Sequence, residues 1–233
     1  MQIPRKIDDR LQDAIVNIQF EPGVPGNAVE GYFHAILKDL YKTVSLSQSS
    51  SVQIDQLIVQ PQNTFCILGE GKFRVEINAK SITFNLIGSY TGWDEYRKTL
   101  TANLLPLIEK GVIAKISRIG IRYISVFDQI RIFDNIKSSL KFAPFDDNSS
   151  RAQFRAEMDR GPFLMIVTLL NAFPKTDGEI YSITDVDTIK VFDPIKLHTG
   201  EILKWLEDAH IEQKTVFFSL LKKEFIDSLN PEY

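Results

Sequence analysis

Alternation of apolar and polar residues predicts β-strands along most of the chain. In residues 13–20 the apolar side chains of Ala14, Val16, Ile18 and Phe20 share one face, with polar side chains between them. Further strand-like segments are found at 52–60, 64–78, 80–86, 115–127, 151–158, 162–170 and 181–192. Because an alternating strand has one apolar face, we expect an antiparallel sheet with one side against a core.

Apolar residues spaced three and four apart predict helices between these strands. One helix follows Asn27, a second begins near Trp93, and a short one lies near 131–140. The last helix is the longest, because the apolar stripe that begins at Ile202 keeps its phase as far as Leu221. This continuity predicts one uninterrupted helix of about 28 residues at the end of the chain.

The predicted elements occur twice in the same order. Residues 1–112 and residues 113–233 are each expected to form a β-α-β-β-β-α unit, and the two units to form one continuous domain. The sequence therefore predicts an α+β fold, in which a duplicated unit builds a curved, largely antiparallel sheet with long helices packed on one face. No residue-level repeat accompanies this order, so the duplication is inferred from the elements alone.

Composition and charge narrow the class of protein. Hydrophobic residues make up 44% of the chain and charged residues 24%, values close to those of globular proteins. The chain carries 27 Lys+Arg against 30 Asp+Glu, a net charge of −3, so nucleic-acid binding is not expected. The longest apolar run, 163–170, is too short to span a bilayer, and the N-terminus lacks the apolar stretch of a signal peptide. We expect a cytoplasmic protein without a membrane partner.

Four charged residues on two predicted strands are the main candidates for a ligand site. Arg118 and Arg122 share one face of their strand, and Asp185 and Asp187 share one face of another. The arginines could bind a small anionic ligand through their planar guanidinium groups, and the aspartates could bind a cation such as magnesium. We favour a third interpretation, in which the four side chains meet across the sheet and form a polar layer.

Two polar residues interrupt the apolar stripe of the last helix. His210 and Gln213 are added to the candidate ligand-binding residues, either as hydrogen-bonded core groups or as a polar notch that lines a groove. No arrangement of Ser, His and Asp or of Cys and His has the pattern of an activated nucleophile. The sequence therefore predicts no catalytic residue and no cofactor, which disfavours an enzyme.

Several short motifs together resemble a known family. They are RIGIRYI at 118–124, Trp93-x-x-Tyr96, Asp185-Val186-Asp187, and a C-terminal tail from His198 to Phe217 and Phe218. With these motifs the chain resembles a family of uncharacterised bacterial proteins that is sporadically distributed, although its N-terminus lacks the family's proline-rich opening. The resemblance implies no activity, and the patchy distribution implies a role in a mobile defence-type or toxin–antitoxin-type system. The element order resembles the TATA-binding-protein-like class, in topology only.

These observations leave three functional hypotheses. In the first and favoured one, the protein is a non-catalytic interaction protein that binds a protein partner or a second copy through the sheet face that the helices leave uncovered. In the second, it is an enzyme or a sensor that recognises an anionic small ligand through Arg118 and Arg122. In the third, the uncovered sheet binds nucleic acid, which the acidic net charge disfavours.

Overall fold

The computed structural model describes residues 2–8, 10–38, 43–45, 66–70, 72–88, 90–137 and 151–233. These residues form an α+β fold with a nine-stranded antiparallel sheet, which confirms the predicted fold class. The strand predicted at 52–60 lies outside the described residues.

The strands and helices have the following bounds. The strands are β1 (Leu11–Pro22), β2 (Thr43–Ser45), β3 (Cys66–Glu70), β4 (Phe73–Asn78), β5 (Ser81–Ile87), β6 (Ile113–Asp128), β7 (Ala152–Arg160), β8 (Phe163–Pro174) and β9 (Ile180–Ile195). The helices are α1 (Val29–Leu37), α2 (Trp93–Glu109), α3 (Ile132–Asn135), α4 (Thr199–Leu220) and α5 (Lys223–Ser228).

The strand order across the sheet is β2-β3-β4-β5-β1-β6-β9-β8-β7. The two central strands, β1 and β6, are antiparallel neighbours. From β1 outward the order is β5, β4, β3 and β2, and from β6 outward it is β9, β8 and β7. Each half of the chain thus begins in the centre of the sheet and places its last strand beside its first one. Because β1 pairs with β6, a single sheet contains strands of both predicted units.

The described helices pack against one face of the sheet. On β1 this face carries Val16 and Ile18, which are completely buried. The Tyr96 hydroxyl of α2 donates its single hydrogen in a bifurcated hydrogen bond to the backbone oxygens of Ala14 and Phe84, at 3.0 and 2.9 Å. These bonds, together with burial of apolar side chains, hold α2 on the central strands.

The opposite face, called the open face from here on, carries Asn17, Arg118, Arg122, Asp185 and Asp187. None of the described helices packs on it.

The prediction of one 28-residue final helix is wrong. Helix α4 has 22 residues and ends at Leu220, and α5 follows as a separate short helix. At the break, Leu221 is buried and forms a β-bridge with Ile136, and the Lys137 amide donates to the Leu220 carbonyl at 2.8 Å. The segment after α3 thus binds backbone groups that a continuing helix would use itself.

Neither α4 nor any other described helix is long and apolar enough to cross a membrane.

Candidate functional site

The register between β6 and β9 brings the predicted arginines and aspartates together. Arg122 lies directly opposite Asp187, and Ile124 lies opposite Asp185. Residues opposite each other in an antiparallel pair project to the same side of the sheet. Arg118, Arg122, Asp185 and Asp187 therefore all lie on the open face, where they form the polar layer that the sequence predicts.

Arg122 and Asp185 form a two-pronged ion pair. The Arg122 Nε donates to Asp185 Oδ1 at 2.9 Å, and Nη2 donates to Oδ2 at 2.6 Å. The Asp185 residue is only 9% exposed, so its carboxylate depends on the guanidinium group for compensation. This hydrogen bonding also raises the pKa of Arg122. Each partner therefore satisfies the hydrogen-bonding groups of the other.

Arg118 continues the layer toward β1 and β5. Its Nη1 donates to Asn17 Oδ1 at 2.7 Å, and Asn17 Nδ2 donates to Thr83 Oγ1 at 2.8 Å. Its Nη2 lies 3.7 Å from Asp187 Oδ2, a looser ion pair than that of Arg122. These residues, with Arg122 and Asp185, are called the strand-face network below.

Gly120 makes room for the Arg118 guanidinium group. A methyl group on Gly120 would lie 2.9 Å from Arg118 Nη1 and 3.0 Å from Nη2. The guanidinium group therefore lies flat over the backbone of its own strand, between Asn17 and Asp187. A glycine at this position is required for the observed path of the arginine side chain.

Asp187 is the least compensated member of the network. Burial raises its pKa from 3.8 to about 6, and the charges of Arg118 and Arg122 offset only part of this effect. Burial therefore destabilises the charged form of Asp187 by more than the nearby guanidinium groups stabilise it. The network holds two guanidinium groups and two carboxyl groups, so little net charge remains for an added ion.

The alternative that Asp185 and Asp187 bind a metal ion lacks further ligands nearby. In the part of the chain that the structure describes, no group of three or more His, Cys, Asp and Glu side chains could hold a metal ion. Instead, the two carboxyl groups face guanidinium groups.

His210 and Gln213 lie on the other side of the sheet from the network. Both are on α4, and Gln213 is buried at 2% exposure. The His210 Nδ1 is 3.1 Å from the hydroxyl of Tyr123, whose neighbour Arg122 projects to the open face. The six candidate residues therefore do not form one site, because β6 separates the four charged ones from His210 and Gln213.

The surroundings of His210 are largely aromatic. The Trp93 ring stacks on the imidazole with centroids 4.3 Å apart and planes 9° from parallel. The Tyr123 hydroxyl also forms a hydrogen bond with the Tyr90 hydroxyl, with the two oxygens 2.9 Å apart. Burial lowers the pKa of His210 to about 3, and the charge of Lys214 adds to this effect. The imidazole is therefore neutral near pH 7 and is poorly suited to proton transfer there.

Sequence reasoning missed the partners of both groups. Asn17 lies on the polar face of a predicted strand, and the structure places its side chain on that face. Its contact with Arg118, however, depends on the pairing of β1 with β6. Trp93 and Tyr123 appear in the sequence as ordinary core aromatics. Their contact with His210 exists only because α2 and α4 lie side by side across β6.

Comparison with known proteins adds no assignment to this geometry: no protein-family model matches the chain, and no curated protein has a similar sequence.

Proposed function

We propose that this protein is a non-catalytic binding protein whose open face docks a protein partner. The observation that carries this proposal is that the charges of the strand-face network are already paired within the chain. In the residues that the structure describes, this face offers hydrogen-bonding groups and apolar area, and the charges of the network are paired with each other. Non-obligate protein interfaces have this mixed composition.

Apolar side chains surround the network on the open face. Ile15, Ile124, Ile166 and Ile183 are partly buried there, and Val191 on β9 is 64% exposed. They alternate along their strands with helix-facing residues and stand beside polar side chains of neighbouring strands. A partner that covers this face would remove apolar area from water without leaving a buried charge unpaired.

The charges of the open face do not favour a nucleic acid. Among its described strand residues, the acidic ones are Asp13, Glu21, Glu76, Asp128, Glu157, Asp159, Asp185 and Asp187, and the basic ones are Arg74, Lys115, Arg118, Arg122 and Arg155. A phosphate backbone is bound by an excess of basic groups, and this face has an excess of acidic ones. The open-sheet nucleic-acid hypothesis is therefore the weakest of the three.

Site-specific photo-crosslinking in cells of the source organism tests the proposal. A photo-reactive amino acid at Val191 should give a discrete protein adduct, whereas the same group at Ile211 should not. Ile211 is a matched control, because it is 54% exposed and lies on helix α4, on the opposite side of the sheet. An Ile166→Arg substitution should abolish the Val191 adduct. No adduct at Val191, or the same adducts at both positions, would refute the proposal.

A second candidate function is recognition of a small anionic ligand. It is supported by the loose Arg118–Asp187 pair and by the raised pKa of Asp187, because an anion could displace this carboxyl group from Arg118. Native mass spectrometry of the purified protein would detect a co-purifying small molecule. Loss of that molecule on Arg118→Gln, with the fold retained, would favour this function over the first.

We also infer that the chain arose by duplication of one β-α-β-β-β-α unit. The support is the strand order, because β5, β4 and β3 follow β1 outward as β9, β8 and β7 follow β6, with β2 as one additional strand beyond β3. The rotation that superposes β1 and β5 on β6 and β9 should then place α2 on α4. An experimental structure in which this rotation separates the two helices would contradict the duplication.

A further inference from the structure

Strand β7 forms one edge of the sheet. Within the described residues it pairs only with β8, to which the turn Gly161-Pro162 connects it. Gly161 has φ 58°, as the first central residue of a type II′ hairpin turn requires. In such a hairpin the closing pair, Arg160 and Phe163, is hydrogen-bonded, and bonded positions alternate from there. The backbone groups directed away from β8 are therefore those of Gln153, Arg155, Glu157 and Asp159.

The sequence of β7 is complementary to itself when it is read antiparallel. If two copies pair with Ala156 opposite Ala156, each Arg155 lies opposite a Glu157. In the same register each Phe154 lies opposite a Met158, which gives two sulfur–aromatic contacts on the helix-bearing face. Opposite charges and apolar side chains directly across an antiparallel pair are stabilising.

Of the three registers centred on Arg155, Ala156 and Glu157, only the one centred on Ala156 places no like charges directly opposite each other. Because residues with outward-directed backbone groups must face each other, the two β7 strands can slip past each other only in steps that move the centre of the contact by one residue. Centring the pair on Arg155 places two arginines opposite each other, and centring it on Glu157 places two glutamates opposite each other. Like charges in these positions are destabilising. Charged side chains on an edge strand commonly prevent pairing, but here their signs alternate so that they favour the Ala156-centred alignment over the two adjacent ones.

We propose that two copies of this chain associate through their β7 strands, antiparallel and centred on Ala156. The contact has twofold symmetry about an axis perpendicular to the sheet, and it closes without leaving either β7 edge available for a third copy. In the dimer the two sheets are continuous, and both open faces lie on the same side. The proposal requires no ligand on the open face, so it stands or falls independently of the proposed function.

Charge reversal on β7 tests this pairing. Arg155 and Glu157 are suitable positions, because their side chains are 43% and 53% exposed and contact each other within the chain. Arg155→Glu and Glu157→Arg should each raise the dimer dissociation constant at least about tenfold, because each variant creates two like-charge pairs. The double variant restores opposite charges across the contact and should dimerise like the wild type. An equimolar mixture of the two single variants should form a mixed dimer.

Sedimentation velocity of the full chain between about 1 and about 100 μM measures these effects. Far-UV circular dichroism spectra should be unchanged in the single variants, which excludes unfolding as the cause. Lys98→Glu is the control, because it reverses a charge that is 71% exposed on α2 and should leave the dimer unchanged. The proposal is overturned if the wild type is monomeric over this range, if the single variants dimerise as strongly as the wild type, or if the double variant remains monomeric.

Discussion

Replacing His210 with glutamine should change how the stability of the fold depends on pH. In the folded chain the imidazole is buried against Trp93 and Tyr123, which lowers its pKa from 6.5 to about 3. In the unfolded chain water surrounds the ring, and it binds a proton as the pH falls through its ordinary pKa. Between these two pKa values the unfolded state binds more protons than the folded state. Acid therefore shifts the equilibrium toward unfolding.

The size of the effect follows from the two pKa values. Between about pH 7.5 and about pH 4.5, the unfolded imidazole becomes almost fully protonated while the folded one remains neutral. The folded state should lose about 3 kcal/mol of unfolding free energy over this interval through His210 alone. Glutamine does not titrate and can still hydrogen-bond to the Tyr123 hydroxyl, so His210→Gln should be less sensitive to acid than the wild type by that amount.

Urea unfolding followed by far-UV circular dichroism at both pH values provides the measurement. Only the difference between the variant and the wild type is interpreted, because other titrating groups are common to both proteins. His34→Gln is the control, because it makes the same substitution at an exposed position on α1. Parallel stability curves for the wild type and His210→Gln would refute the burial argument, as would an NMR titration of His210 near pH 6.5.

Three further predictions concern the strand-face network. Asp187→Asn should have the opposite effect on pH dependence. The raised pKa of Asp187 stabilises the folded state below pH 3.8, and this stabilisation is lost as the pH rises through about 6. In urea unfolding, the variant should therefore be more sensitive to acid than the wild type by about 2 kcal/mol between about pH 7.5 and about pH 4.5. Gly120→Ala should displace the Arg118 guanidinium group and lower the free energy of unfolding by about 1 to 2 kcal/mol. In an Arg118→Ala background the same change should cost much less, and equal costs in this double-mutant cycle would contradict the assigned contact. Arg122→Ala should lower the free energy of unfolding, measured with urea, by about 2 kcal/mol, because it leaves the Asp185 carboxylate without its partner. Adding Asp185→Ala should recover part of that loss, and no recovery would argue against the ion pair as the cause.

Local patterns were sufficient to assign many side chains to a face of the sheet. Alternation placed Val16 and Ile18 on an apolar face of the first strand, and the structure buries both completely. The same period of two placed Arg118 with Arg122, and Asp185 with Asp187. These assignments hold because successive side chains of a strand project to opposite sides, whatever the strand pairs with.

The last helix shows where local patterns fail. Its apolar stripe continues past Leu220, and a periodicity argument therefore predicts no break there. The helix ends because the chain after α3 pairs with Leu221 and its neighbours. That segment is more than eighty residues away in sequence, and nothing near Leu221 announces it.

The sequence by itself determined where most of the strands and helices lie, and that Arg118 shares a face with Arg122 and Asp185 with Asp187. Only the tertiary structure decided that Arg122 pairs with Asp185, that Asn17 holds Arg118, and that His210 lies among aromatic rings on the other side of the sheet. The physical reason is register: a slip of one residue between two strands would move every side chain of one strand to the opposite face. Strand order and register arise from the packing of the whole core, which no local stretch of residues encodes.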